Sequence, residues 1–359
     1  MTSPDLVSLA LGGRMYGGWT NVSIERSIDQ MIGTFSLGAA ARGDGKDDDF
    51  QFKAGEACTI SIDGALIMTG WVDQVGPGFD QSSHRIGVSG SDGACDLVDC
   101  SAVHKPGSWR NVSIEAIAAE LAKPFGITIT AKADTGARIK SFALQQGETV
   151  QQALERLLRY RGLLAVSTTA GQIEIIAPKT GAPDWTLAGE ALLAAEATHD
   201  VSERFSDYIV KGQASGDDQA HGKAVAAVKA EANDPAVKRY RPLIIIGEEQ
   251  SDIASLKTRA AWEATTRAGR SQSARLTMQG WHARDGRLWE PNRIISVSER
   301  ALFIDGPMLI TGVSYQKSEA GTVAILSVSP PEAWTQLAIP PKAEVSRIGK
   351  PRHKKAAKA

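Results

Sequence analysis

Residues 62–74 read IDGALIMTGWVDQ, and residues 304–316 read IDGPMLITGVSYQ. Aligned without a gap, Ile62/Ile304, Asp63/Asp305, Gly64/Gly306, Thr69/Thr311 and Gly70/Gly312 are identical, and Leu66, Ile67 and Met68 face Met308, Leu309 and Ile310. In the first copy, Thr59-Ile60-Ser61-Ile62 alternates and Asp63-Gly64 suits a two-residue hairpin turn before a returning strand. The second copy reads as the same turn. Gly55 lies ahead of the first copy and Asn292 ahead of the second, and each copy is followed by one more strand, HRIGVS (84–89) or TVAILSV (322–328). An IDG turn between apolar strands can arise by chance. The matched surroundings favour a duplicated β-unit, two similar closed or nearly closed sheets.

Working outward, residues 5–35 and 84–93 alternate as strands, with Gly12-Gly13 and Gly17-Gly18 as turns. Residues 43–50, GDGKDDDF, form a polar acidic loop. Its Asp44, Asp47, Asp48 and Asp49 are hard oxygen donors, but Lys46 and the wrong spacing break a calcium-loop pattern. From 105 the pattern turns helical. Ile114, Ile117, Ala118 and Leu121 share a face that Pro124 and Gly126 end. Thr149 with Gln152 makes a capping box before the stripe Val150, Ala153, Leu154, Leu157 and Leu158. Residues 163–178 follow as a hairpin. Strands return beyond 185, with a loop at 215–237 and a helix at 251–270.

The fold expected is mainly β with an α+β insert. A first β-barrel domain spans 1–104, the insert 105–182, a second β-barrel domain 183–335, and a basic extended tail 336–359. The chain has 359 residues and a net charge of −1. Seven basic residues and one acid lie from Lys342 onward, leaving 33 basic against 40 acidic before it, a net of −7. An acidic body argues against a general nucleic-acid binder. The tail cations, among them Lys350, Arg352, Lys354 and Lys355, could dock on an acidic partner.

Cys58, Cys95 and Cys100 give no disulfide framework and no zinc spacing. No signal peptide or membrane-spanning apolar run is legible, so a cytosol-like compartment and no membrane insertion are expected. No nucleophile elbow, P-loop, HExxH or Rossmann fingerprint occurs, and the six histidines are scattered. The His199-Asp200 pair has no serine or cysteine motif beside it. Neither a catalytic residue, nor a metal, nor a cofactor is expected. Residues 147–166 faintly resemble a glycan-binding LysM helix, which keeps a peptidoglycan-binding or lytic role as an alternative.

The order of motifs is specific. CDLVDCSAV (95–103) comes first, then Trp109 to Ile127 ending in PFGI. GETVQQALERLLRYRGLL (147–164), RAAWEATTRAG (259–269), GWHARDGRLWEPN (280–292), GPMLITGV (306–313) and LSVSPPEA (326–333) follow. Together, from about residue 5 to 335, they resemble the baseplate hub and tail proteins of Mu-like contractile-tailed phages. That family is related to hub parts of type VI secretion spikes. The resemblance implies a structural virion component in the tail baseplate, assembled in the host bacterial cytoplasm. It implies a homotrimer whose six barrels adapt a six-fold tail tube above to a three-fold central spike below. Wedge proteins would lie outside, and DNA would pass through the channel without specific binding. A hub of a tailocin or a type VI-like machine stays open on the residues alone. On this reading Trp71, Val72, Val313 and Tyr315 are expected near subunit contacts.

Overall fold

The computed structural model describes residues 6–41, 52–79, 84–159, 161–187, 192–213, 228–250 and 253–335. The acidic loop 43–50 and the tail with Lys350, Arg352, Lys354 and Lys355 lie outside the described residues. The amino-terminal strands are β1 (Val7–Leu11), β2 (Arg14–Tyr16), β3 (Asn21–Ser27), β4 (Thr34–Ala41), β5 (Ala57–Ile62), β6 (Ala65–Phe79) and β7 (His84–Asp92). Their burial alternates, so one face carries Leu9, Ile24, Leu37, Ile60 and Val88 inward. Asp63 and Gly64 at the β5–β6 turn both have positive φ, 49° and 83°. That is the backbone a two-residue hairpin matching strand twist requires.

The insert holds α1 (Cys95–Asp99), β8 (Ser108–Val112), α2 (Ile114–Ala122), β9 (Ile129–Ala131), β10 (Ile139–Ala143), α3 (Val150–Arg159), β11 (Leu164–Ser167) and β12 (Ile173–Ile176). The Ser113 hydroxyl accepts from Ala116 N at 3.3 Å and starts α2. Thr149 and Gln152 exchange hydrogen bonds at the start of α3, at 2.9 and 3.3 Å. The stripe Val150, Ala153, Leu154, Leu157 and Leu158 is buried in a core of its own with Ile117, Leu121 and Ile173.

The carboxy-terminal strands are β13 (Trp185–Leu187), β14 (Leu192–His199), β15 (Asp207–Gln213), β16 (Val228–Asn233) and β17 (Pro242–Gln250). Helix α4 (Ile253–Arg270) and strands β18 (Gln272–Gln279), β19 (Ile294–Glu299), β20 (Ile304–Ser318) and β21 (Gly321–Ser329) complete the chain. Strands β16, β15 and β17 form a separate sheet. Helix α4 packs on it through Leu256 and Ala260. Strand β16 falls where composition suggests only a loop; its small residues Ala230 and Ala232 fit under the helix and give little strand signal.

The other strands of both β-units join one 13-stranded sheet. Along its main path the order is β14-β18-β21-β20-β3-β4-β7-β6-β5-β1-β2, with β19 on β20 and β13 on β19. No closed barrel is found among the described residues. The architecture is mainly β, as expected, and both units share one sheet and one core, from Leu9 and Ile60 to Leu326 and Trp281. The joint between the units lies in β20. Its first half pairs with β19 and its second half, Gly312 to Lys317, pairs with β3.

Candidate subunit interface

The two β-units repeat one wiring scheme. The first runs β3-β4-β7-β6-β5-β1 across the sheet, the second β14-β18-β21-β20-β19-β13. Numbered within each unit, leaving out the β2 hairpin strand and the separate β15–β17 sheet, both orders are second, third, sixth, fifth, fourth, first. All matched neighbours are antiparallel except the outermost, since β1 runs antiparallel to β5 and β13 parallel to β19. The second unit carries β15 to α4 where the first has only the turn between β3 and β4.

Hydrogen bonds fix the equivalence to the residue. Gly55 N donates to Val72 O at 2.7 Å, and Val72 N to Glu56 O at 3.0 Å. Asn292 N donates to Ile310 O at 2.8 Å, and Ile310 N to Arg293 O at 2.8 Å. Gly55 and Asn292 both sit in the left-handed region, at φ 86° and 59°. Each long strand then bulges one residue later, at Asp73 against β7 and at Thr311 against β21. Val72 therefore corresponds to Ile310. The IDG…TG text would instead match Val72 with Ser314, four residues away. Asp305 and Gly306 are not in a turn: they pair with Ser298 and Val297 inside the β19–β20 ladder. The second turn is the 3-10 segment Arg300–Leu302, closed by Phe303 at φ 56°.

Of the residues expected at subunit contacts, Val72, Val313 and Tyr315 are buried within the chain, and Trp71 is exposed on the outer face of β6. The buried Tyr315 hydroxyl donates to Trp289 O, and burial holds its pKa above the usual tyrosine value. These three side chains fill the interior of the chain.

The wiring leaves two sheet edges that sequence reading does not mark. After Val72, β6 runs on to Phe79 with β7 on one side only. Strand β14 has β18 on one side only. Among the described residues nothing pairs with their other sides. Large apolar side chains stand exposed beside both: Trp71 and Phe79 on β6, Leu193 on β14 and Phe303 near its end, where its ring meets His199. The signal available in sequence was length, since β6 and β20 each outrun their hairpin partners.

No group of three or more His, Cys, Asp or Glu able to hold a metal occurs among the described residues. His199 Nε2 lies 2.8 Å from Leu302 O, while the Asp200 carboxylate accepts from Ser202 N, so the pair forms no dyad. Burial, reinforced by nearby carboxylates, pushes the Cys58 and Cys95 thiols up to about 11, far from a reactive thiolate. Asp92 is buried, and desolvation raises its carboxyl above its usual value, with Gly33 N at 2.6 Å and Ala94 N at 3.0 Å donating to it. It ties the β3–β4 turn to the start of the insert.

Four family models match in chain order. They are the N-terminal model of Mu phage baseplate assembly protein GpP-like over residues 6–92, and the second domain of baseplate hub protein gp44-like over 94–177. The third domain of tail protein NMB1110-like covers 204–261, and the fourth domain of Mu phage baseplate assembly protein GpP covers 252–336. The chain is 34% identical over 298 residues to the baseplate hub protein gp44 of Escherichia phage Mu, covering 81% of this chain and 78% of that protein. The crystal structure of the 43 kDa tail protein of prophage MuSo2 from Shewanella oneidensis superposes with a TM-score of 0.81 at 33% identity, covering 92% of this chain and 99% of that one. The tail protein from Neisseria meningitidis MC58 shares the fold at a TM-score of 0.76 and 23% identity, covering 92% and 98%. The chain thus belongs to the Mu gp44 family of baseplate hub proteins, structural components of the phage tail.

Proposed function

We propose that this protein is the trimeric hub of a contractile-tail baseplate, adapting a six-fold tail tube to a three-fold central spike. The observation that carries this is the repeated wiring within one chain. Three copies present six similar β-units, so a single gene product meets both symmetries. Rings with heterologous contacts close only when each step repeats the same rotation, and two matched units per chain allow six near-equal steps from three subunits.

The tube would sit above the ring and the spike below, with wedge proteins meeting the insert and α4 from outside. DNA would pass through the centre, and the net of −7 before Lys342 disfavours adhesion of phosphates to the protein. The cations Lys350, Arg352, Lys354 and Lys355 would dock on an acidic neighbour. Assembly would take place in the host bacterial cytoplasm and the finished protein would reside in the virion. Light scattering coupled to size exclusion tests the ring directly. The expected mass is three times 38.1 kDa; a chain that stays monomeric even with the spike protein added would overturn the reading.

A further inference from the structure

The seam inside the chain specifies the seam between chains. We propose that the outer edge of β14 in one subunit pairs antiparallel with the free edge of β6, Asp73 to Phe79, in the next. This rests on the trimeric reading and names its contact surface.

The argument is the equivalence of the two units. In the first-to-second direction the joint is already made: β3 lies against the second half of β20, with Ser27 opposite Gly312, Ile24 opposite Tyr315 and Val22 opposite Lys317. The counterpart of β20 is β6, by the matched bulges and the matched Gly55 and Asn292 bonds. The counterpart of β3 is β14. Phe35 pairs with Ile24 and with Gly90, and Ala274 pairs with Ala197 and with Val328, so Ile24 corresponds to Ala197. Both counterpart edges are unpaired among the described residues, and both carry exposed apolar side chains. An unpaired edge of N–H and C=O groups is a template for another strand. Repeating the internal joint across the subunit boundary satisfies both edges and generates a head-to-tail contact that can close as a ring.

The register follows. Val72 matching Ile310 makes Gly76 the counterpart of Ser314, and Glu25 lies opposite Ser314. Glu25 pairs with Thr34 and Thr198 with Ser273, one step along from Phe35 and Ala274, so Thr198 takes the place of Glu25. The contact sets Thr198 of one chain opposite Gly76 of the next, Ala197 opposite Pro77 and Ala195 opposite Phe79. Ile28 N donates to Thr311 O, which makes Ser27–Gly312 a non-hydrogen-bonded pair and places the Tyr315 N–H on the seam. Its counterpart Pro77 has no N–H. The edge of β6 therefore offers Val75 and Phe79 as full partners and Pro77 as an acceptor only. That weakens pairing with arbitrary strands, as proline does on exposed edges, and leaves apolar contacts to select the correct one.

The test is a disulfide between Gly76→Cys and Thr198→Cys in one chain, oxidised and run without reductant beside each single variant, with the mass of the untreated protein measured in parallel. A Cβ added at Gly76 meets no atom closer than 3.9 Å, and a non-hydrogen-bonded pair brings Cβ atoms close enough for a disulfide. The expected result is a covalent three-chain species from the double variant only. A trimer in solution that gives no cross-link overturns this seam and leaves the trimeric reading standing. A monomer at every concentration, with or without spike protein, overturns both.

Discussion

Strands β3 and β14 hold the same place in the same wiring, yet one is interior and the other an edge. Strand β3 has β4 and β20 on its two sides, whereas among the described residues β14 has only β18. The difference in partners is reflected in residue type. Strand β3 carries Val22 and Ile24 inward, both buried, while the matching positions in β14 are Ala195 and Ala197, half-buried. A duplicated module can hold its backbone plan while each copy adapts its side chains to what covers it. Proline substitution breaks the comparison most sharply. Ile24→Pro removes a seam N–H and a buried side chain together and should cost at least about 3 kcal/mol, seen as loss of the cooperative thermal transition. Ala197→Pro should leave the monomer's melting temperature nearly unchanged and lower the trimer fraction in light scattering. If the two variants unfold alike, the inequivalence of the strands is wrong.

The glycines of the repeated text sharpen the same contrast. Gly70 and Gly312 are identical in sequence context but not in structural place. A Cβ on Gly70 would lie 2.0 Å from Ser91 O, while one on Gly312 meets nothing nearer than Arg26 O at 3.5 Å. Gly70→Ala must move backbone and is expected to cost about 3 kcal/mol. Gly312→Ala should stay within about 1 kcal/mol. Urea titration of both variants measures the gap, and equal midpoints would show that the four-residue offset between text and structure has no energetic content.

That offset also explains how much was legible. The repeat of IDG and TG suggests a duplication, and a duplicated wiring is present, but the letters do not mark equivalent residues. Period-2 alternation cannot register a bulge, and a bulge flips which side chains face the core. Hence Tyr315 reads as a surface aromatic and is interior, while its partner in the text, Asp73, is exposed and accepts from the Ser91 hydroxyl at 2.7 Å. Helices were far more legible: the Ile114, Ile117, Ala118 and Leu121 face, Thr149 with Gln152, and the α3 stripe are local signals that packing did not override. The sharing of β20 between β19 and β3 was not legible, because Gly312 and Ser27 are 285 positions apart and nothing local encodes their pairing. The edges of β6 and β14 were hidden for the same reason, since an unpaired edge is a property of the whole sheet.

A smaller test lies in Tyr315 and Asp73 themselves. Tyr315→Phe keeps the ring against Trp281 and removes the hydroxyl that Trp289 O accepts from. A buried carbonyl left without its donor costs about 1–2 kcal/mol. Asp73→Asn, at the surface, should move stability by less than about 0.5 kcal/mol. Matching losses in chemical denaturation would place both side chains in the same environment, against the bulge-based register.

The smallest effect separates the units by acid. Asp92, at the end of the first unit, is raised above its ordinary 3.8 by burial. A carboxyl raised in the folded state contributes stability that is complete below the unfolded value and is lost as pH climbs through the folded one. Asp285, in the second unit, runs the other way. Its hydrogen bonds from Arg287 and from the Trp185 indole lower it to about 2. Its contribution is present above 3.8 and lost as pH falls toward about 2. Acidification should therefore loosen the Trp185–Arg287 contact while relieving the Asp92 junction. Trp185 meets Trp289 edge-on and lies under Arg287, so fluorescence should report the first event, and Asp285→Asn should remove it. Melting temperature against pH for Asp92→Asn should lose the decline expected in the parent as pH rises through the raised Asp92 value. Unchanged slopes in both variants would mean that neither carboxyl is linked to folding and that the units respond to acid alike.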